Sequence, residues 1–204
     1  MKKLLLLLLL FPILCFGQSK EKLDLIKKWE DTGYFKRDGD NIVVSSIVND
    51  LDGNKNELFI RVKSFLSRNY NNSQSVIQTE DKEAGIIIGK GYYPNIYNFT
   101  ANLIVPVSYS CYHILRIDIK DGRIRIICSV DTWIAEWRAS GNNYTKEEHL
   151  VVNLPPYTEK KVFGLGKDRS VDAFINLISR MHNTIASLEK SVRDGSLKIE
   201  NDDW

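Results

Sequence analysis

Residues 103–130 read LIVPVSYSCYHILRIDIKDGRIRIICSV. Leu103, Val105, Val107, Tyr109, Cys111, His113, Leu115, Ile117 and Ile119 occupy the odd positions, and Ser108, Ser110, Arg116, Asp118 and Lys120 fall between them. A period of two places these sets on opposite faces of a strand. Asp121-Gly122 is a strong two-residue hairpin signal, because a tight turn of this kind needs positive φ at its centre. After it, Ile124, Ile126, Cys128 and Val130 alternate with Arg123, Arg125 and Ser129. The turn register and the hydrophobic pattern select the same inward face independently. The segment is therefore a hairpin with one buried side, and that side needs a cover.

The cover is readable further along the chain. From Asp168 to Asp194, Val171, Phe174, Ile178, Met181, Ile185, Leu188 and Val192 recur in steps of three and four, and Gly195 supplies a stop. Such a helix is about 40 Å long. A coiled coil would also use this stripe, but a helix lying across an antiparallel sheet explains stripe and hairpin together. Upstream, Ile42 to Val48 reads as the first core strand, introduced by an Asp38-Gly39 turn. Asn54 with Glu57 makes a capping-box start for a helix carrying Leu58, Val62, Phe65 and Leu66 and ending near Tyr70. Ser75 to Thr79 and Ala84 to Lys90 read as two strands joined by a charged turn, and Tyr92 to Tyr97, with Pro94, as an irregular aromatic connection. The expected fold class is α+β: strand, helix, four strands, helix, with a twisted antiparallel sheet covered by the long C-terminal helix.

Around this core, residues 18–33 read as a helical extension and 139–169 as a polar excursion within one domain spanning 34–195. Its apolar cluster Leu150 to Val152 suggests an edge strand, and 196–204 is an acidic tail. With 43% hydrophobic and 26% charged residues and only 12 Gly and 5 Pro, the composition excludes a disordered or collagen-like chain.

At the N-terminus, Lys2 and Lys3 precede an apolar run from Leu4 to Leu14, about half the length needed to span a bilayer. This reads as a secretory signal over 1–17, cleaved between Gly17 and Gln18. Lipidation at Cys15 is disfavoured, since Leu14 stands where that processing prefers a small residue. Without the signal, 26 basic residues balance 26 acidic ones, which argues against a general nucleic-acid or anionic-membrane binder. No transmembrane segment is expected in the mature chain. The expected location is exported: periplasmic, associated with the outer envelope, or secreted.

Several stretches also resemble a bacterial family of unknown function with the TATA-binding-protein-like (TBP-like) fold. They are Ile42 to Leu66, Val76-Ile77-Gln78, Asp81-Lys82-Glu83-Ala84-Gly85, Ile88-Gly89-Lys90-Gly91 and the Asp121-Gly122 hairpin. The resemblance covers about residues 34–135, and the last helix by position and amphipathicity. It implies the TBP-like fold and an exported or envelope location in Gram-negative bacteria. It implies no activity, and it carries over no catalytic residue.

The candidate chemistry is sparse. Gly85 to Gly91 includes Gly-Lys-Gly, but the spacing is wrong for a phosphate loop, so the glycines read as allowing a bulge or a close backbone approach. Cys111 and Cys128 share a face, yet the hairpin register places Cys111 opposite Thr132 and Cys128 opposite Leu115, about 13 Å apart. A disulfide needs Cα atoms within about 7 Å, so none is expected. His113 sits on the inward face among Tyr109, Cys111 and Leu115, and His182 follows Met181 on the last helix, where the two imidazoles can approach. A metal site wants three or four ligands, and no such set is spaced for one. Trp133 and Trp137 cap the sheet or line a pocket at its end. Tyr92, Tyr93, Tyr97 and Phe99 anchor loops, because no basic residues interleave with them as in nucleic-acid binders.

These readings give a non-catalytic binding module with no catalytic constellation, no cofactor and no nucleic-acid partner. Its partner is an unknown envelope protein or a small apolar ligand. The alternative is a carrier with an apolar cavity between sheet and C-terminal helix, lined by Cys111, His113, Cys128, Met181 and His182. Trp204 is the candidate partner-binding residue of the tail.

Overall fold

A computed structural model describes residues 20–70, 77–101, 105–138, 144–154, 156–158 and 167–195. The expected cleavage site at Gly17-Gln18, the alternative anchor at Cys15 and the candidate Trp204 lie outside the described residues.

Strands β5 (Val105–Lys120) and β6 (Arg123–Val130) form the expected hairpin, with Leu115 opposite Cys128, Ile117 opposite Ile126 and Ile119 opposite Ile124. The register then slips by one residue. Cys111 faces Trp133 of β7 (Thr132–Arg138) rather than Thr132, because Asp131 stands out of the ladder between β6 and β7. Its carbonyl instead accepts the Val151 N–H at 2.7 Å.

All pairings are antiparallel. β1 (Lys36–Asp38) pairs with β2 (Asn41–Val48), and the main path runs β1, β2, β6, β5, β4 (Ile86–Ala101), β3 (Ile77–Asp81). β7 continues the line of β6 along β5, and β8 (Tyr144–Leu150) lies outside it. β2 and β8 therefore lie beside successive stretches of one interrupted strand.

Helix α1 spans 20–31, α2 spans Lys55–Asn69 and α3 spans Lys167–Arg193. α2 starts where its sequence says it should. The Asn54 side chain accepts from the backbone N–H groups of Asn56 and Glu57, while the Glu57 carboxylate accepts from Asn54 N–H at 2.9 Å. Asp121 of the hairpin turn accepts a further orphan N–H, that of Lys55, at 2.7 Å. The hairpin tip is thereby fastened to the helix start, and Leu51 N–H to Gly122 O at 2.9 Å adds to the joint.

The seven stripe residues of α3 are all buried, and so are Leu58, Val62, Phe65 and Leu66 of α2. They pack against the inward residues Ile42, Val44, Ile87, Leu115, Ile117 and Ile126 in one core. Burying each large aliphatic side chain stabilises by roughly 1.5–3 kcal/mol, so the sheet face and the helices hold each other in place.

Three expectations are corrected. The stretch from Tyr92 to Tyr97 is no loose connection but the middle of β4, where Pro94, Asn95 and Ile96 bulge opposite Ser110 alone. Asn95 takes φ 50°, a left-handed conformation that Asn tolerates. The Asn95 and Ile96 carbonyls, freed from the ladder, accept from Arg180 at 3.2 Å and Asn176 at 3.1 Å. Of Leu150 to Val152 only Leu150 is strand, the last residue of the edge strand β8, and Val151–Asn153 is a single 3-10 turn. The strand count also exceeds the expected series, since β1, β7 and β8 extend the sheet.

Candidate binding groove at His113

His113 points inward from β5, directly opposite Gly91 of β4. The imidazole occupies the space that a side chain at 91 would need: a Cβ there would lie 2.4 Å from His113 Cε1 and 2.5 Å from a Tyr70 ring carbon. This is the close approach that the Gly-Lys-Gly sequence signals. Gly85 meets a different demand, with φ 71° and the Ile119 carbonyl 2.4 Å from where its Cβ would be.

Two tyrosines complete the setting of the ring. Tyr93 stacks on it at 3.9 Å between centroids and 15° between planes, and the Tyr70 hydroxyl at the end of α2 lies 2.9 Å from Nε2. Burial pushes the His113 pKa down to about 4, so the ring is neutral near pH 7. Nδ1 is buried with no hydrogen-bond partner. A proton on Nε2, donated to Tyr70, leaves a bare lone pair at Nδ1, which costs less than an orphaned N–H.

The Tyr93 hydroxyl lies 2.7 Å from Thr184 Oγ1 on α3 and 3.7 Å from Cys128 Sγ. Burial raises the pKa values of Tyr70, Tyr93 and Cys111, and that of Cys128 to about 12. The cluster therefore holds neutral phenols, neutral thiols and a neutral imidazole.

Above it opens a groove of ≈ 460 Å³. α2 contributes Phe65, Asn69 and Tyr70, the sheet Tyr92, Tyr93 and His113, and α3 Arg180, Asn183, Thr184 and Ser187. Arg180 is the one charged residue among these. Its Nη2 donates to the Asn95 carbonyl, which fixes the guanidinium over the β4 bulge. On the neighbouring sheet surface Tyr92 and Tyr112 lie 5.1 Å apart, 40% and 47% exposed, and Lys90 sits over the Tyr112 ring at 4.4 Å.

The residues singled out in the sequence do not gather in one place. Cys111 and Cys128 are buried free thiols. With Met181 they are 0% exposed, and none of the three lines the groove. His182 does not meet His113. It stacks on Tyr34 at 3.6 Å, and its Nε2–H donates to the Tyr34 carbonyl at 2.9 Å, tying the segment after α1 to α3. Among the described residues no three His, Cys, Asp or Glu side chains cluster as a metal would require. Trp133 is buried edge-on to Tyr109, and Trp137 lines a separate ≈ 450 Å³ depression with Phe99, Val107 and Arg138. The α3 wall has a sequence signal of its own. Arg180, Asn183, Thr184 and Ser187 form a polar strip at helical spacing beside the apolar one.

The antiparallel sheet with its covering helices defines an α+β protein of TBP-like fold. Residues 48–129 match the family model of a domain of unknown function, DUF4468, with TBP-like fold. A TBP-like protein from Parabacteroides distasonis is similar in structure at a TM-score of 0.56 and 14% identity, over 78% of this chain and 97% of that one. A DUF4468 family protein from Bacteroides ovatus is similar at a TM-score of 0.53 and 11% identity, over 78% of this chain and 91% of that one. At such identities the likeness is one of fold. No curated protein matches the chain. The matched segment holds the sheet and α2 side of the groove, while the α3 side lies beyond it.

Proposed function

We propose that the protein is an exported, non-catalytic binding module of the periplasm or cell envelope, and that it holds its ligand in the His113 groove. The observation that carries this is the open groove itself, walled by aromatic rings, hydroxyls and amides over a rigid, neutral floor. The dimensions fall in the range of small-molecule sites. The signal-like N-terminus supports export. The chemistry of the floor supports binding over catalysis, since the thiols are held protonated and the imidazole is stacked and hydrogen-bonded in place. No described helix is long and apolar enough to cross a membrane.

The alternative, a carrier with an apolar interior cavity, needs space beside Cys111 and Met181. Both are completely buried, whereas the His113 groove is open to solvent. The test is native mass spectrometry of the protein released gently from its own envelope, as wild type and as Ser187→Trp, which fills the groove. A bound component on the wild type that is lost on the variant is the expected result. A component retained equally by both would place binding elsewhere.

A further inference from the structure

We propose that β8 pairs antiparallel with β8 of a second copy of this chain, joining two sheets edge to edge about a two-fold axis at Glu147. Among the described residues β8 is bonded to β7 alone, from Thr132 opposite Leu150 to Arg138 opposite Tyr144. Its other edge therefore presents backbone N–H and C=O groups that no described strand pairs, a template for a further strand. Lys146, Glu147 and Glu148 are exposed along it. Charges on an edge usually keep other strands away, and a run of one sign would repel a second copy. This run is mixed, and its order suits one partner, the same strand reversed.

A two-fold axis perpendicular to the sheet keeps every residue on its own face, so only positions separated by an even number can lie opposite each other. Centred on Glu147, the register sets Lys146 opposite Glu148 of the second copy, and Glu148 opposite its Lys146. These two residues share the outer face and already pair within the strand at 2.8 Å, with side chains 44% and 57% exposed. Two copies then make a square of four charges in which each neighbour, along the strand or across it, has the opposite sign. Centring on Lys146 or on Glu148 instead sets that residue on its own copy and leaves the other opposite an uncharged residue. At the chosen centre the two Glu147 carboxylates meet on the other face, each also bonded to its own His149 at 3.2 Å. That is the unfavourable contact in the register. The backbone ladder supplies the attraction and the charges supply the register, since exposed ion pairs contribute little by themselves.

The test is sedimentation equilibrium of the purified protein at low ionic strength, from micromolar to submillimolar concentration. A reversible monomer–dimer equilibrium is expected, weak because an edge-to-edge contact buries little area. Lys146→Glu and Glu148→Lys each set like charges opposite one another twice, and each should weaken dimerisation at least about tenfold. Mixing the two variants should restore it, because at 146 and 148 one carries only anions and the other only cations. The double exchange Lys146→Glu/Glu148→Lys should dimerise like the wild type, and Glu147→Gln, which removes the unfavourable contact, should dimerise more tightly. Oxidation of Glu147→Cys should give a cross-linked dimer, since opposite Cα atoms lie about 4.5–5.5 Å apart, whereas Thr145→Cys, about 13 Å along the strands from its own copy, should not. Unchanged melting temperatures would show that each variant is folded. A wild type that is monomeric throughout, a dimer indifferent to Lys146→Glu, mixed variants that stay monomeric, or cross-linking that is equal at 145 and 147 overturns the proposal.

Discussion

Gly91 lies directly across the β4–β5 ladder from His113, and the imidazole fills the volume in which residue 91 would carry a side chain. Even one methyl group there would meet Cε1 at 2.4 Å, Nε2 at 2.5 Å and the Tyr70 ring at 2.5 Å. Two rings locked by stacking and a hydrogen bond cannot step aside, so the requirement for glycine is steric. Gly91→Ala should destabilise by about 2–3 kcal/mol. Adding His113→Ala should restore part of the loss, a coupling expected of residues in contact. Urea unfolding of the two single variants and the double variant measures it, and strictly additive losses would contradict the contact.

The buried imidazole also sets an acid limit on stability. Its pKa falls from 6.5 to about 4 on folding because burial disfavours the charged ring. Between those values the unfolded chain binds a proton that the folded protein does not. Stability is thus complete above about pH 6.5 and is lost as pH falls to about 4, by about 3 kcal/mol in total. His113→Gln should be less stable at neutral pH yet lack this part of the acid slope. His182, whose pKa burial also lowers, titrates in both proteins and cancels in the difference. Denaturant midpoints at pH 7.5, 5.5 and 4.5 test this: curves that run parallel would show that the imidazole is not held neutral.

The hairpin, the α3 stripe and the Asn54–Glu57 cap were legible because each is specified within a few residues, by period, turn chemistry or capping pattern. What stayed hidden depends on distant partners. The Pro94–Ile96 bulge is sustained by Asn176 and Arg180, some eighty positions away, so nothing local separates it from a loop. The slip at Asp131 changes Cys111's partner without disturbing either strand's alternation. β8 carries Lys146, Glu147 and Glu148 at exposed positions, and an edge strand that buries little leaves no period to read. The groove was half visible. His113 stood out as a polar residue on an apolar face, but Tyr70 reaches it from the far end of another helix.

Buried thiols should be chemically silent. Burial raises both cysteines' pKa values, that of Cys128 to about 12, so at pH 8 almost no thiolate is present and neither sulfur touches solvent. Cys111 and Cys128 should be unmodified by iodoacetamide in the native protein and fully alkylated in urea. Peptide mapping assigns any label to Cys111 or Cys128. Rapid native labelling at Cys128 would mean that the groove floor opens to solvent.

The Tyr93 hydroxyl joins sheet to helix at one point, 2.7 Å from Thr184 Oγ1. Tyr93→Phe keeps the ring stacked on His113 but removes this link and the 3.7 Å contact with Cys128 Sγ, leaving a part-buried Thr184 hydroxyl without its partner. The expected cost is about 1–2 kcal/mol. Thr184→Val deletes the same bond from the other side and leaves the more deeply buried phenol only its longer contact with Cys128 Sγ, so it should cost more than Tyr93→Phe. The double variant removes both polar groups and should recover much of the loss, because an absent pair is cheaper than a broken one. Urea unfolding of the two single variants and the double variant checks this, and strictly additive losses would contradict the bond.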